Sequence, residues 1–408
     1  MYQPDQDQRT CTPGLILPGG GARAAYQAGV LRAVAELMPR CRVNPFPVVT
    51  GVSAGAINAS VLASNALWFR RGVARLCGVW EHMRTDLIYR TDAGAVAGSA
   101  LRWLFALLTF GFGIVHPRSL LDDTPLRRML ETQVRFARIQ QAIDTGALRA
   151  LAISVSGYTS ARSISFFQGA DDIPEWERAR RLGRRTRLGL DHLMASVALP
   201  LIFPAQRIGS EFFGDGSMRQ SSPLSPAIHL GADRLLIVAV RNEEPNHLPA
   251  PHLPLDYPSF GQIAGYMLDT LFMDSLYTDL ERLSRINRTL SVLPSPERGK
   301  PATPLRHIDT MVIVPSRDMR EIARNHAREF PRAVRLLLRG VGALNAEGRQ
   351  LMSYLLFESG YCGELVELGY RDALARRDEL IEFLQLDRLS TQKKRPQSKE
   401  RKEAEDVG

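Results

Sequence analysis

The feature that most constrains this chain is a serine between two glycines at a predicted strand-to-helix junction. Residues 48–50 form a short run with the β-branched content of a buried strand, and residues 54–67 can form a helix. Between them, Gly51-Val52-Ser53-Ala54-Gly55 has the Gly-x-Ser-x-Gly spacing of a nucleophile elbow. A Cβ at either flanking glycine would collide with the neighbouring strand or helix, and the helix points its free N–H groups at the serine. Ser53 is therefore a candidate nucleophile.

A second glycine-rich turn lies upstream, where a predicted strand over residues 15–17 runs into Pro18-Gly19-Gly20-Gly21-Ala22-Arg23. Consecutive glycines between a strand and a helix let backbone N–H groups approach an anion closely. The spacing also fits a dinucleotide-binding loop, but that loop needs an acidic residue at the end of the next strand, and the sequence has none there. The other use is an oxyanion hole, in which the Gly20 and Gly21 amides face Ser53.

These two motifs resemble those of the patatin-like phospholipase family. In the α/β-hydrolase fold the elbow follows the fifth strand, whereas the residues before Ser53 have room for only two strands and one helix. The resemblance implies a Ser-Asp dyad with the aspartate in an Asp-Gly motif downstream, and Gly214-Asp215-Gly216-Ser217 supplies one. Ser217 stands where the family usually has Gly or Ala. Residues 195–204 resemble the block that precedes this aspartate.

The resemblance also implies roles for individual residues. Asp215 would accept the proton of Ser53 during attack on an ester carbonyl. The amides of the 19–21 loop, with the Ala54 amide as a further donor, would hold the oxyanion. Arg23 would brace the glycine loop or meet a lipid phosphate. No histidine is needed, and we expect no cofactor and no metal.

Alternating strands and helices predict an α/β fold, with three α/β/α layers and a mostly parallel sheet, followed by a helical C-terminal extension. Strands are predicted over residues 149–156, 162–167, 211–213, 235–240 and 311–314, and a long helix over 260–286. We expect an N-terminal tail at 1–13, a hydrolase core at 14–242, a linker, closing strand and helical layer at 243–389, and a disordered charged tail at 390–408.

The composition is that of a soluble globular protein, with 45% hydrophobic and 23% charged residues. The cysteines are scattered without zinc-ligand spacing, and the first ten residues lack the apolar core of a secretory signal, so we expect a cytoplasmic protein. The net charge of +9 is concentrated partly in an arginine run at 178–187. This run is either a charged helix face or a contact with anionic lipid. Nucleic-acid binding is disfavoured because no aromatic residues interleave with the charge.

An apolar segment over residues 93–115 carries Arg102 as its one charge. It could be a helix packed over the active site or an interfacial lid, while a membrane span is disfavoured by Arg102 and the glycines. We therefore expect a lipid acyl hydrolase of the phospholipase A or lysophospholipase type. Its expected partners are a lipid ester substrate and, transiently, the inner membrane face. The alternatives are a catalytically idle lipid-binding protein of the same fold and an esterase on soluble esters.

Overall fold

The computed structural model describes residues 11–39, 44–92, 119–241, 257–270, 275–292, 305–340, 342–345 and 348–387, together with Gly94 and Gly98. The expected N-terminal tail up to residue 10, the apolar segment at 93–115 apart from those two glycines, most of the expected linker and the charged tail lie outside these residues.

The described strands form one sheet. Every strand predicted from the sequence is present, with small shifts of its bounds. The strands are β1 (Pro13–Leu17), β2 (Val48–Val52), β3 (Ala150–Gly157), β4 (Ser163–Gly169), β5 (Trp176–Arg178), β6 (Arg181–Arg185), β7 (Gln206–Ile208), β8 (Glu211–Asp215), β9 (Arg234–Val238) and β10 (Asp309–Ile313).

The strand order is β10-β9-β1-β2-β3-β4-β6-β5, with β8 also paired to β3 and β7 to β8. From β10 to β3 all neighbours run parallel, and antiparallel pairs occur only from β3 outward among the described strands. The parallel strands β1, β2 and β9 are almost wholly buried, as expected when helices cover a sheet. Because parallel strands end at the same edge, the turns after β1 and β2 lie side by side.

Helices connect these strands and form most of the chain after β10. The first turn after β1 is a 3₁₀-helix over Gly21–Ala24, and the helix over Ser359–Ala375 packs along the helix over Ala25–Leu37. The helices are α1 (Ala25–Leu37), α2 (Ala54–Ala63), α3 (Phe69–Glu81), α4 (Thr124–Gln133), α5 (Ala137–Asp144), α6 (Leu190–Val197), α7 (Ser225–His229), α8 (Phe260–Asp269), α9 (Ser275–Val292), α10 (Met319–His326), α11 (Arg332–Gly340), α12 (Arg349–Leu355), α13 (Ser359–Ala375) and α14 (Arg377–Phe383).

The sheet and its helices confirm the predicted α/β fold with a mostly parallel sheet and a helical C-terminal region. The prediction that the arginine run is a charged helix face was wrong, because residues 176–178 and 181–185 form the edge strand β5 and its neighbour β6. The helix predicted over 260–286 is described as α8 and α9, with 271–274 outside the described residues. Within the described part of the chain, no helix is both long and apolar enough to cross a membrane.

Candidate active site

Ser53 lies at the C-terminal end of β2, in a backbone conformation that side-chain-bearing residues rarely adopt. Its φ is 53° and its ψ is −132°, and α2 begins at the next residue. A Cβ at Gly55 would collide with the carbonyl oxygen of Leu17, and a Cβ at Gly51 would lie 2.5 Å from the carbonyl oxygen of Gly55. Both glycines are therefore required for α2 to pack closely against β1 and β2. This close packing imposes the tight turn at Ser53.

The backbone of Ser53 is held by Ser196, a residue for which no role was predicted from the sequence. The Ser53 N–H donates to Ser196 Oγ at 3.0 Å, and the Ser196 hydroxyl donates to the carbonyl oxygen of Ser154 at 2.8 Å. Ser196 is fully buried near the end of α6. Its position within the 195–204 block that resembles the family was the only sequence signal. The strained turn is thus tied to β3 through one buried hydroxyl.

The topology explains how Asp215 comes to lie beside Ser53. Strand β2 runs parallel to β3 and ends with Val52 opposite Ser154. Strand β8 runs antiparallel to β3 and ends with Asp215 opposite Val155, the next residue along. The two strands therefore approach each other end to end along the same side of β3. Ser53, the residue after β2, and Asp215, the last residue of β8, meet at the gap between the two strands.

Asp215 is a fully buried carboxyl group with few partners. Burial raises its pKa to about 6, although interactions with the Ser53 hydroxyl and the Ser217 amide oppose the rise. The Ser217 N–H donates to Oδ1 at 2.9 Å, while Oδ2 has no partner of good hydrogen-bond geometry among the described residues. A Cβ at Gly216 would collide with the Ser154 carbonyl oxygen, so the Asp-Gly pair is needed for this close approach. One carboxylate oxygen is thus left available next to the serine.

The glycine loop follows β1, which pairs with β2 so that Leu17 lies opposite Gly51. Gly21 has a φ of +53°, and a Cβ there would collide with the carbonyl oxygen of Tyr354. A Cβ at Gly20 would lie 2.7 Å from a methyl group of Val240. Gly19 and Gly20 are buried within the loop, whereas Gly21 lines the same pocket as Ser53. The structure therefore places this loop directly beside the elbow.

Arg23, which is predicted to brace the loop or meet a lipid phosphate, lies in the protein interior and is only 2% exposed. Its Nη1 lies 3.1 Å from Asp269 Oδ1, and its Nε and Nη2 donate to Ser353 Oγ at 2.9 and 2.7 Å. Burial lowers the pKa of the guanidinium, but Tyr354 and Asp269 more than offset this, so the pKa is raised overall. Arg23 thus connects the glycine loop to α8 and α12.

A pocket opens at Ser53. Ser53 and Gly21 lie on its surface together with Ala54, and the remaining lining is apolar or aromatic. No charged side chain occurs among the described residues that line it. His229 is not among them: it stacks on Trp176 with ring centroids 4.8 Å apart. His307 is also elsewhere, 3.3 Å from Asp309. The lining residues are Gly21, Ser53, Ala54, Ile57, Trp80, Met83, Ile88, Leu126, Val197, Leu199, Phe203, Leu268, Tyr354, Leu355 and Phe357.

A mostly parallel α/β sheet that presents an elbow serine, a buried aspartate and a glycine loop at one edge defines the class of this protein. Residues 15–228, slightly more than half of the chain, match the family described as patatin-like phospholipase, and the protein belongs to that family. A search of curated protein sequences found no match.

Comparison with solved structures returned human GIVD cytosolic phospholipase A2 in complex with methyl gamma-linolenyl fluorophosphonate, with 14% identity and a TM-score of 0.43 over 94% of this chain. It also returned VipD from Legionella pneumophila, with 13% identity and a TM-score of 0.36 over 90% of this chain. The match covers 60% of the human chain and 67% of VipD, so this protein spans well under two thirds of the length of the human enzyme.

Proposed function

We propose that this protein is a lipid acyl hydrolase of the phospholipase A or lysophospholipase type. The observation that carries the proposal is the end-to-end meeting of β2 and β8, which brings the strained Ser53 against the buried Asp215 at an apolar pocket. Family membership supports a lipid ester as the substrate.

In the proposed reaction, Ser53 Oγ attacks the ester carbonyl carbon while Asp215 accepts the hydroxyl proton. The Gly20 and Gly21 amides of the 19–21 loop, with the Ala54 amide, hold the negative charge of the tetrahedral intermediate. The Ser53 amide is excluded from this role because it donates to Ser196. Asp215 then gives its proton to the leaving alkoxide, which departs as the alcohol.

Deacylation repeats the same proton transfers with water. Asp215 takes a proton from the water as its oxygen attacks the acyl carbon, and the proton returns to Ser53 Oγ as the fatty acid leaves. A carboxyl group with a pKa of about 6 suits this role, since it is ionised near neutral pH and is still a useful base. The reaction needs no imidazole.

We also propose transient contact with a membrane surface. Helix α8 exposes Phe260, Ile263, Tyr266 and Met267 to solvent, while Leu268 of the same helix lines the pocket. Helix α11 exposes Leu336 and Leu337 among arginines and has no acidic residue. Apolar and cationic side chains together favour adsorption to anionic lipid. The arginine run offers less free charge, because Arg184 pairs with Glu175 and Arg185 donates to backbone carbonyls.

An active-site fluorophosphonate tests the function. We expect intact mass and peptide mapping to show one adduct on Ser53, and Ser53→Ala to abolish both the adduct and hydrolysis of a phospholipid panel. Ser60→Ala is the matched control, since Ser60 is also a buried serine on α2 and its hydroxyl has no partner among the described residues. An adduct on another serine would overturn the assignment. Lipid binding without any adduct or turnover would favour the catalytically idle alternative, and turnover of soluble esters alone would favour the esterase alternative.

A further inference from the structure

We propose that α8 and the end of α12, which lie beyond the part of the chain matched to the family, form the wall that selects the acyl chain. The ligand of this wall is a single unbranched acyl chain of the ester, and the proposal rests on the proposed function of Ser53. The pocket wall is defined as Leu268, Tyr354, Leu355 and Phe357. It faces apolar residues from the hydrolase core, including Trp80, Met83 and Phe203.

The pocket wall is part of the folded interior and not a loose cover. Leu268, Tyr354 and Phe357 are each less than 10% exposed. The Tyr354 carbonyl oxygen packs against Gly21, so that no side chain could be accommodated there. On the other side of the pocket, Thr85 is buried and lies in sequence between the lining residues Met83 and Ile88. Its hydroxyl donates to the Phe357 carbonyl oxygen at 3.3 Å. The wall thus contacts the glycine loop at one end and the opposite side of the pocket at the other.

A buried ion pair fixes the position of the wall relative to the glycine loop. The partners of Arg23 are Asp269, Ser353 and Tyr354, which are the wall residues themselves or their direct neighbours in sequence. The Arg23 guanidinium also lies over the Tyr354 ring, 3.9 Å from its centre. Asp269 Oδ2 pairs with Arg241 at 3.0 Å, so both carboxylate oxygens are engaged.

Such a pair is poorly explained by stability alone, because removing two charges from water costs about as much as their attraction returns. Its geometry is specific: the planar fork of Arg23 reaches a hydroxyl on α12 and a carboxylate on α8 at the same time. We therefore assign Arg23 as a positioning residue. It holds the pocket wall at a fixed distance from the amides that would receive the oxyanion, so that a chain lying on the wall places its carbonyl at Ser53.

The pocket wall therefore determines which acyl chains reach Ser53. Each buried methylene contributes roughly 0.8 kcal/mol of transfer free energy, which corresponds to about a four-fold change in binding. Filling the pocket with a larger side chain at Leu268 should expel several methylenes of a long chain and none of a short one. Enlarging the pocket with a smaller side chain at Phe357 should instead favour long chains over short ones.

The test uses n-alkyl fluorophosphonates with butyl, octyl and hexadecyl chains, and measures second-order rates of adduct formation at Ser53 by intact mass. For Leu268→Trp we expect the hexadecyl-to-butyl rate ratio to fall by about 10-fold or more. Phe357→Ala should raise the same ratio. The exposed Val292→Ala on α9 is the control and should leave the ratio unchanged. Circular dichroism and Tm verify that each variant is folded.

An unchanged ratio in folded Leu268→Trp and Phe357→Ala would overturn the proposal while leaving the function of Ser53 intact. If no probe of any length modifies wild-type Ser53, the proposed function fails instead. The wall is then tested in Ser53→Ala by titration with a fluorescent long-chain fatty acid. The proposal predicts saturable binding that Leu268→Trp weakens about 10-fold or more; absence of binding, or equal affinity in both proteins, would contradict it.

Discussion

The junction, defined as the proposed catalytic residues Ser53 and Asp215 with the 19–21 loop, and the pocket wall are held in place in different ways. The junction is built by backbone: the ends of β1, β2 and β8 meet along β3, and glycines allow the close approach. The wall is built by side chains, because Arg23 reaches Asp269 across 246 residues of sequence. The difference teaches that strand pairing along β3 positions the junction, whereas the pocket wall depends on side-chain contacts with a distant part of the chain.

The largest effect is expected from a substitution at the junction. Asp215→Asn keeps the shape of the side chain but removes the base, so we expect turnover to fall about 10³-fold or more. His229→Ala is the matched control, because His229 also follows β8 closely in sequence but packs on Trp176. It should keep most of the activity. Loss of activity in His229→Ala equal to that in Asp215→Asn, in a folded protein, would refute the dyad. The measurement is steady-state kinetics on a short soluble ester.

A smaller effect is expected where junction and wall are joined. Asp269→Asn leaves the buried Arg23 without its carboxylate, which should cost about 3–5 kcal/mol of stability. Arg23→Lys keeps the charge but cannot form the fork, and should lower kcat on a short ester by about 10-fold with little change in KM.

Denaturant unfolding and kinetics measure these two effects. The control is Glu379→Gln, which breaks the exposed pair Arg376–Glu379 and should leave Tm unchanged. If Arg23→Lys alters Tm but not kcat, the ion pair is structural only and does not position the loop.

A third expectation concerns the cost of keeping Asp215 buried. Its carboxyl binds a proton more tightly in the folded protein than in the unfolded chain, with a pKa of about 6 against 3.8. The stabilisation that this group contributes should therefore be complete below about pH 4. As pH rises through 6 it should be lost, which lowers the free energy of unfolding by up to about 3 kcal/mol. Asp215→Asn lacks this loss. The free energies of unfolding of both proteins, measured between pH 4 and 8, give the difference. If the two curves run parallel, burial of the Asp215 carboxylate does not destabilise the folded protein.

The smallest effect is expected at the surface beside the wall. Replacing Phe260 and Met267 together by serine should weaken binding to anionic vesicles about 5- to 10-fold and lower hydrolysis of vesicle lipid to a similar extent. Hydrolysis of a short soluble ester should be unchanged. Val292→Ser, an equally exposed apolar site on α9, serves as the control in vesicle co-sedimentation. Equal losses on both substrates would mean that the α8 face supports the fold and not the membrane contact.

The sequence singles out the parts of the junction because each part is marked by its neighbouring residues. Glycines at 51 and 55 signal the elbow, and the run at 19–21 signals the loop, since few other contexts require them. The existence of the strands followed from local apolar runs. What could not be predicted is register: nothing near Asp215 indicates that β8 lies opposite residues 155–157 of β3.

The pocket wall and its connection to the glycine loop were invisible for a related reason. The side-chain partners of Arg23, Asp269 and Ser353, are far away in sequence. They lie in helices whose packing depends on the whole C-terminal region. The prediction for the arginine run was wrong because charge alone does not distinguish an exposed strand from a charged helix face. The buried residues in this region, Trp176, Leu182 and Gly183, are too few to show the period of either element.

The most direct test of the central claim, that Asp215 is the base for Ser53, is the pH dependence of fluorophosphonate adduct formation at Ser53. The rate should rise with pH through a single midpoint near 6 and then stay level, because Asp215 must be ionised to accept the proton. Asp215→Asn should react far more slowly and lack that midpoint, while His229→Ala should keep it. A midpoint that survives in Asp215→Asn, or that disappears in His229→Ala, would contradict the account.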